Sequence, residues 1–294
     1  MHLTEPHRNT LRSMLEGVSL RKGLQVSIGP IGTGKTTLLY CLQHILAHES
    51  QPERPIRSAF IVNPLLAPEE LFEALFDEME ISCASNSKPA RLRAFHELLL
   101  QSQQSNGGVV IIIDEAHLIP QALIEEIRLL LNLDNYSENV LQVILCGQPE
   151  LAPLLSKPQC AALKARVAVV SRLRPLTLLE CRAYIAERLH VAGLRGENPF
   201  TAAAMEEIFR RSGGVPRTIN LLCDRSMMAA YRRQAHKIGP DLIVDAVEDL
   251  ALADSLSERS APFSATQLAA AAGSELEKLN TLSSRDIKLV GSDE

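Results

Sequence analysis

Eight consecutive residues, Gly29-Pro30-Ile31-Gly32-Thr33-Gly34-Lys35-Thr36, match the pattern G-x-x-x-x-G-K-[ST] at every required position. The residue types state a chemistry. Glycines let backbone N–H groups converge on phosphate oxygens with no Cβ in the way. Lys35 brings a cation to the terminal phosphates, and the Thr36 hydroxyl is a hard oxygen ligand for Mg²⁺. The loop, with Thr37 beside it, is therefore expected to bind ATP together with Mg²⁺. A second constellation, Asp114-Glu115-Ala116-His117, follows the apolar run Val109-Val110-Ile111-Ile112-Ile113. A carboxylate at the end of a buried strand is costly unless a positive charge pairs with it. A Mg²⁺ held by Thr36 and Asp114 gives it that partner. Glu115 is then placed to polarise a water for in-line attack on the γ-phosphate. His117 reads as a packed or hydrogen-bonding neighbour rather than a catalytic base.

These groups need a sheet to bring them together. Short apolar runs at 24–28, 59–62, 109–113, 140–146 and 166–171 read as strands. The run 109–113 is β-branched throughout, which fits a strand buried on both faces. Helical periodicity follows the loop, with Leu38, Leu39, Leu42, Ile45 and Leu46 at three- and four-residue spacing. It recurs at 69–79, 90–100 and 124–133. Strands alternating with helices predict an α/β fold, a P-loop NTPase core whose parallel sheet is flanked by helices. After Pro175 the pattern is helical only, at 178–192, 201–211, 218–232 and 240–252. The expected organisation is a nucleotide-binding core over 1–175, an all-helical domain over 176–252, and a Ser- and Ala-rich tail over 253–294 with a short helix near 265–280.

Composition removes several classes. With 294 residues, 46% hydrophobic and 22% charged, the chain has an ordinary globular balance, which excludes disordered, collagenous and coiled-coil proteins. The net charge of -5 provides no global basic field for nucleic acid. No apolar run approaches the ~18–20 residues of a membrane-spanning helix. The start, Met1-His2-Leu3-Thr4-Glu5-Pro6, has no basic stretch leading into an apolar one, so no secretory signal is expected. The six cysteines lack C-x-x-C spacing and read as reduced thiols of a cytoplasmic protein, not metal ligands.

Further segments give the sequence a resemblance. The phosphate loop, Asp114-Glu115-Ala116-His117, Ile127-Arg128-Leu129-Leu130-Leu131-Asn132-Leu133, Gly147-Gln148-Pro149-Glu150-Leu151 and Gly214-Val215-Pro216-Arg217-Thr218-Ile219-Asn220 occur in that order. Together they resemble the general secretion pathway protein A (ExeA-like) family of AAA+ P-loop ATPases over about residues 2–250. The resemblance implies an AAA+ core with a helical lid and ATP-driven assembly into a homo-oligomer. It implies that Gln148, after the strand 140–146, is a sensor touching the γ-phosphate or the attacking water. Arg217 matches the lid's sensor arginine, and Arg166 the arginine that acts in trans on a neighbour's γ-phosphate, with Lys164 and Arg172 competing for that role. Family members carry a further aromatic- and proline-rich segment before the part matching His2, so the adenine-side contacts stay unassigned. Membrane-anchored members continue into a spanning helix and a peptidoglycan-binding region. This chain ends instead in a polar tail, so envelope work is expected to need a membrane partner, with the protein cytoplasmic or peripheral to the inner membrane through it.

The leading expectation is an ATPase that assembles or remodels a partner in a secretion or envelope system. An alternative keeps the ATPase but makes it a DNA-associated helper of the transposition type, drawing on Arg210, Arg211, Arg225, Arg232, Arg233 and Lys237. A nucleotide-sensing scaffold without turnover is disfavoured by Glu115. A DEAH-type helicase, suggested by 114–117, would need a second RecA-like domain that the sequence does not supply.

Overall fold

Strands β1 (Leu24–Ile28), β2 (Ile56–Ile61), β3 (Gly108–Ile113), β4 (Leu141–Gly147) and β5 (Val167–Arg172) form one sheet in the order β2-β3-β4-β1-β5, every pair parallel. This computed structural model describes residues 3–50, 53–134 and 139–259. The register aligns Ile28 with Gly147 and Arg172, and Ile61 with Ile113, so the carboxyl ends of all five strands share one rim. Whatever follows β1, β3 and β4 is therefore brought together, at the place where parallel α/β sheets bind ligands.

Alternation along β3 explains its apolar sequence. Val109, Ile111 and Ile113 join a cluster with Val143, Leu145 and the helices α3 (Pro68–Glu78), α4 (Lys88–Gln104) and α5 (Gln121–Leu133), through residues such as Leu75, Phe95 and Ile127. Val110 and Ile112 face the other way, onto α1 (Glu5–Ser19) and α2 (Lys35–Glu49), through Met14, Leu38 and Leu42. Short helices α6 (Leu151–Leu155) and α7 (Ala161–Lys164) lead into β5.

Four helices follow: α8 (Leu178–Val191), α9 (Ala202–Ser212), α10 (Pro216–Arg232) and α11 (Pro240–Arg259). They enclose a cluster of their own, with Leu176, Ile185, Ile208, Ile219, Leu222 and Ile243 at its centre. Thr177 caps α8 by accepting from the Glu180 amide, and Glu180 returns the bond to the Thr177 amide. Arg174, in the linker from β5, donates to both oxygens of Glu180 and holds that carboxyl down to about 2.

Three differences from the sequence expectation matter. Residues 5–19 form α1, an element absent from that expectation. The strand expected at 59–62 begins at Ile56, because its first residues are half-exposed on an edge strand and lack an apolar signature. Helix α11 continues to Arg259, past the boundary expected at 252; the short helix expected near 265–280 lies outside the described residues. Among the described residues no helix is long and apolar enough to cross a membrane. The six cysteines carry free thiols, and burial pushes those of Cys146 and Cys223 up to about 12 and that of Cys181 up to about 11.

Candidate nucleotide-binding cleft

The loop between β1 and α2 is a turn that only glycine makes without strain at two places: Gly32 has φ +77° and Gly34 φ +96°. Pro30 and Thr33 close it locally, the Thr33 hydroxyl donating to the Pro30 carbonyl at 2.7 Å. Lys35 is buried and its Nζ donates to the same carbonyl at 3.1 Å. Ile31 stands exposed at the loop tip. Helix α2 starts at Lys35, so its positive end faces into the loop.

Asp114 emerges from β3 almost fully buried, 1% exposed. Its Oδ2 accepts from the Thr36 hydroxyl at 2.5 Å and its Oδ1 from the Glu115 amide at 2.8 Å. A buried carboxylate and a hydroxyl pointing at each other are hard oxygen donors of the kind Mg²⁺ takes, and Mg²⁺ needs only one or two of them when phosphates supply others. The residues present fit that ion. Among the described residues no group of three His, Cys, Asp or Glu could hold a metal ion.

Glu115 adopts φ +47°, ψ +33°, left-handed backbone that a non-glycine residue adopts only at a cost. That turn aims the side chain back over the loop, where it lines the cleft. Its Oε2 accepts from the Gln148 side-chain amide at 3.3 Å. His117 Nδ1 lies 3.4 Å from both Glu115 Oε2 and the Gln148 backbone N–H. One nitrogen serves one of these at a time, accepting from the amide or donating to the carboxylate. Below the site, Cys146 stays a neutral thiol, its proton held by burial and by the Asp114 charge.

The helical region closes the other side. Arg217, at the start of α10, donates its backbone N–H to the Gly32 carbonyl at 3.1 Å. The cleft, about 530 Å³, is lined by Gly32, Gly34, Lys35, Thr36, Thr37 and Glu115 from the core and by Tyr184, Arg188, Arg217 and Asn220 from α8 and α10. That volume lies in the usual range for a small-molecule site. Leu3 and His7 of the N-terminal segment complete the wall.

The structure thus gathers Lys35, Thr36, Asp114, Glu115, Gln148 and Arg217 in one place. Arg166 is elsewhere. It sits at the start of β5 and donates to the Leu131 carbonyl at 3.1 Å and to the Asn132 side chain at 2.5 Å, at the end of α5. Leu3, Thr4, His7, Tyr184 and Arg188 were not foreseen. A usable signal existed for the first group: Pro6 in the opening turn and Leu11, Met14 and Val18 at helical spacing mark a helix with an apolar face to bury. Tyr184 and Arg188 gave none, since nothing local says which turn of α8 faces the cleft.

Sheet order, phosphate loop and helical bundle define the fold: a P-loop NTPase core of the AAA+ type followed by a helical region. Residues 19–155 match the family described as AAA domain. More particularly, the chain is related to general secretion pathway protein A of Aeromonas hydrophila, with 37% identity over 243 residues, 81% of this chain and 42% of that protein. It therefore spans about two fifths of that relative's length. Among solved structures it resembles the Aeropyrum pernix ORC2 protein in its ADPNP-ADP complexes, at a TM-score of 0.59 and 16% identity over 83% of this chain and 66% of that one. It also resembles the Thermotoga maritima RuvB Holliday junction branch migration motor, at a TM-score of 0.55 and 20% identity over 83% and 69%. These two likenesses are of fold.

Proposed function

We propose that the chain binds ATP with Mg²⁺ between the phosphate loop and helices α8 and α10, and hydrolyses it there. In this reading its ATP cycle assembles or remodels a protein partner in a secretion or envelope system. The observation that carries the catalytic part is the Thr36–Asp114 contact of 2.5 Å, with Glu115 lying beside it over the loop. The partner's class rests on the relationship to general secretion pathway protein A.

Loop amides and the α2 terminus bind the phosphates, and Lys35 leaves the Pro30 carbonyl to meet the terminal ones. Thr36 and Asp114 would hold Mg²⁺, which when bound offsets phosphate charge. Glu115 accepts a proton from the attacking water, and Gln148, already bonded to Glu115, orients that water and the carboxylate together. Arg217 lies on the cleft wall, where its guanidinium reaches back to the phosphates as charge develops. Arg166 acts across an oligomer interface on a neighbour's γ-phosphate, with Lys164 and Arg172 as the competing donors. The working division is a core to residue 175, a helical lid from 176, and a location in the cytoplasm or at the inner membrane through the partner.

The DNA-associated alternative is weaker on the charges it invoked. Arg210 and Arg211 share Glu207, whose carboxyl they hold down to about 2. Arg233 pairs with Asp245 and Lys237 with Glu197. These pairings lower the net positive charge available to phosphates. The test is steady-state ATP turnover with and without double-stranded DNA at low salt, with Lys35→Ala as the blank. Turnover indifferent to DNA is expected. Stimulation by DNA that fades as salt rises would put the alternative first.

A further inference from the structure

The phosphate loop accepts hydrogen bonds at the Gly32 and Thr33 carbonyls from segments outside the core sheet, and the second comes from a residue with no assigned role. His7, in the first turn of α1, is 8% exposed, and Thr4 beside it is 5% exposed. The His7 Nε2 lies 2.8 Å from the Thr33 carbonyl oxygen. A carbonyl only accepts, so Nε2 carries the proton and donates. In the neutral ring the other nitrogen, Nδ1, is then the acceptor, and the Thr4 hydroxyl donates to it. Both nitrogens are used, and the tautomer is set by the two partners.

Thr33 lies between Gly32 and Gly34, at φ +77° and +96°. Glycine has little preference for one peptide orientation over its flipped alternative. The plane of the Thr33–Gly34 peptide is therefore poorly held by its own sequence. In a trans peptide the C=O and the following N–H point opposite ways. Holding the Thr33 carbonyl toward α1 directs the Gly34 N–H away from α1. The ring also acts as a stop: a Cβ on Gly34 would lie 2.7 Å from His7 Nε2, so the imidazole rests against that α-carbon.

We propose that His7 is a positioning residue of the phosphate cradle, holding the Thr33 carbonyl outward so that the Gly34 amide faces the bound phosphates. The proposal rests on the nucleotide-binding reading above and adds a determinant to it. His7 need not touch phosphate. A contact that only fastened α1 would be served by an apolar side chain, without desolvating an imidazole. The donor at Nε2 is what an apolar residue would lack.

The experiment uses the full chain with His7→Phe, which keeps a ring and removes the donor, and His7→Gln, whose amide donates from a similar reach. Affinity is read with a fluorescent ADP analogue in Mg²⁺, and by displacement of that analogue with inorganic pyrophosphate. Unfolding temperature is measured without nucleotide. His7→Phe is expected to weaken both ADP and pyrophosphate about tenfold, as for loss of one hydrogen bond that organises the cradle. His7→Gln is expected to stay within about threefold of the wild type on the same reasoning. Weaker ADP with unchanged pyrophosphate would assign His7 to the base and overturn the proposal. Unchanged affinity with a lowered unfolding temperature in both variants would make His7 a plain strut and overturn the proposal as well. A wild type that binds no better than Lys35→Ala would remove the nucleotide-binding reading itself, an outcome separate from both.

Discussion

Gly32 occupies an x position of the phosphate-loop pattern, so the pattern alone allows Ala there. The structure does not. A Cβ on Gly32 would stand 2.9 Å from Val215 Cγ1 and 3.0 Å from Arg217 Cβ, both at the start of α10. The backbone at φ +77° costs an L-residue about 1–2 kcal/mol. To reach ordinary contact the start of α10 must retreat by roughly half an ångström or more, which stretches the Arg217 N–H to Gly32 carbonyl bond from 3.1 Å. Losing that bond adds about 0.5–1.5 kcal/mol. The sum, about 1.5–3.5 kcal/mol, corresponds to a shift of roughly 10- to 300-fold toward an opened cleft. Hydrogen exchange at the Arg217 amide reads this directly, because that N–H is the donor. Gly32→Ala should speed its exchange by at least about tenfold while amides buried among α9, α10 and α11 keep their protection. Adding Val215→Ala removes one of the two clashes and should restore part of the protection, a coupling expected of touching residues. Equal Arg217 exchange in Gly32→Ala and wild type would refute the claim that this glycine seats the helical region.

The remaining predictions concern chemistry and acid stability. Lys35→Ala should lose nucleotide binding or nearly so, read by calorimetry. Glu115→Gln should bind ATP normally and turn it over at least about 100-fold more slowly, the usual scale for a lost general base; wild-type turnover would remove Glu115 from that role. Arg166→Ala should keep ATP binding per subunit and lose turnover in a verified assembly. Because Arg166 also holds the end of α5, its unfolding temperature must be measured alongside. Glu180 has a folded-state pKa lowered from 4.5 to about 2, chiefly by Arg174, so the stability it contributes is complete above about 4.5 and is lost as pH falls toward 2. Glu180→Gln should flatten the acid-unfolding curve across that window, and an unchanged curve would show that the pair does not matter there.

Much of this site can be read in the sequence because its parts are contiguous. The phosphate loop is a single run, and Asp114-Glu115 sits at the end of a strand whose β-branched residues announce burial on both faces. Sheet order brings those runs together, and alternating elements are enough to imply the parallel sheet. Pairings across distance are what remained hidden. His7 and Thr33 are 26 residues apart, and nothing about either residue names the other. The cleft-facing turn of α8 is set by packing in the helical cluster, not by local pattern. The six basic residues of 210–237 illustrate the opposite error: read as a list they suggest a patch, but four of them lie against carboxylates that the fold supplies.

The three glycines of the loop share one further property. The space a side chain would take at Gly29 is filled by Leu173, whose carbonyl lies 2.8 Å from the Cβ position, and Leu173 begins the linker from β5 to α8. At Gly32 that space is filled by Val215 and Arg217, and at Gly34 by His7. Linker, helical region and N-terminal helix thus each rest on a different glycine of the same turn. The Leu173 N–H to Ile28 carbonyl bond at 2.8 Å, the Arg217 bond to Gly32 and the His7 bond to Thr33 fasten those three contacts. A side chain at any of the three positions would meet one of these neighbours, and the three hydrogen bonds tie the turn to each of them. In the proposed function phosphate bonds the loop's amides, and peptides of the same loop carry the carbonyls of Gly32 and Thr33 that hold the surrounding segments. The same loop is therefore the point at which α1, the β5–α8 linker and α10 all meet, its backbone on one side and the His7, Leu173, Val215 and Arg217 atoms on the other.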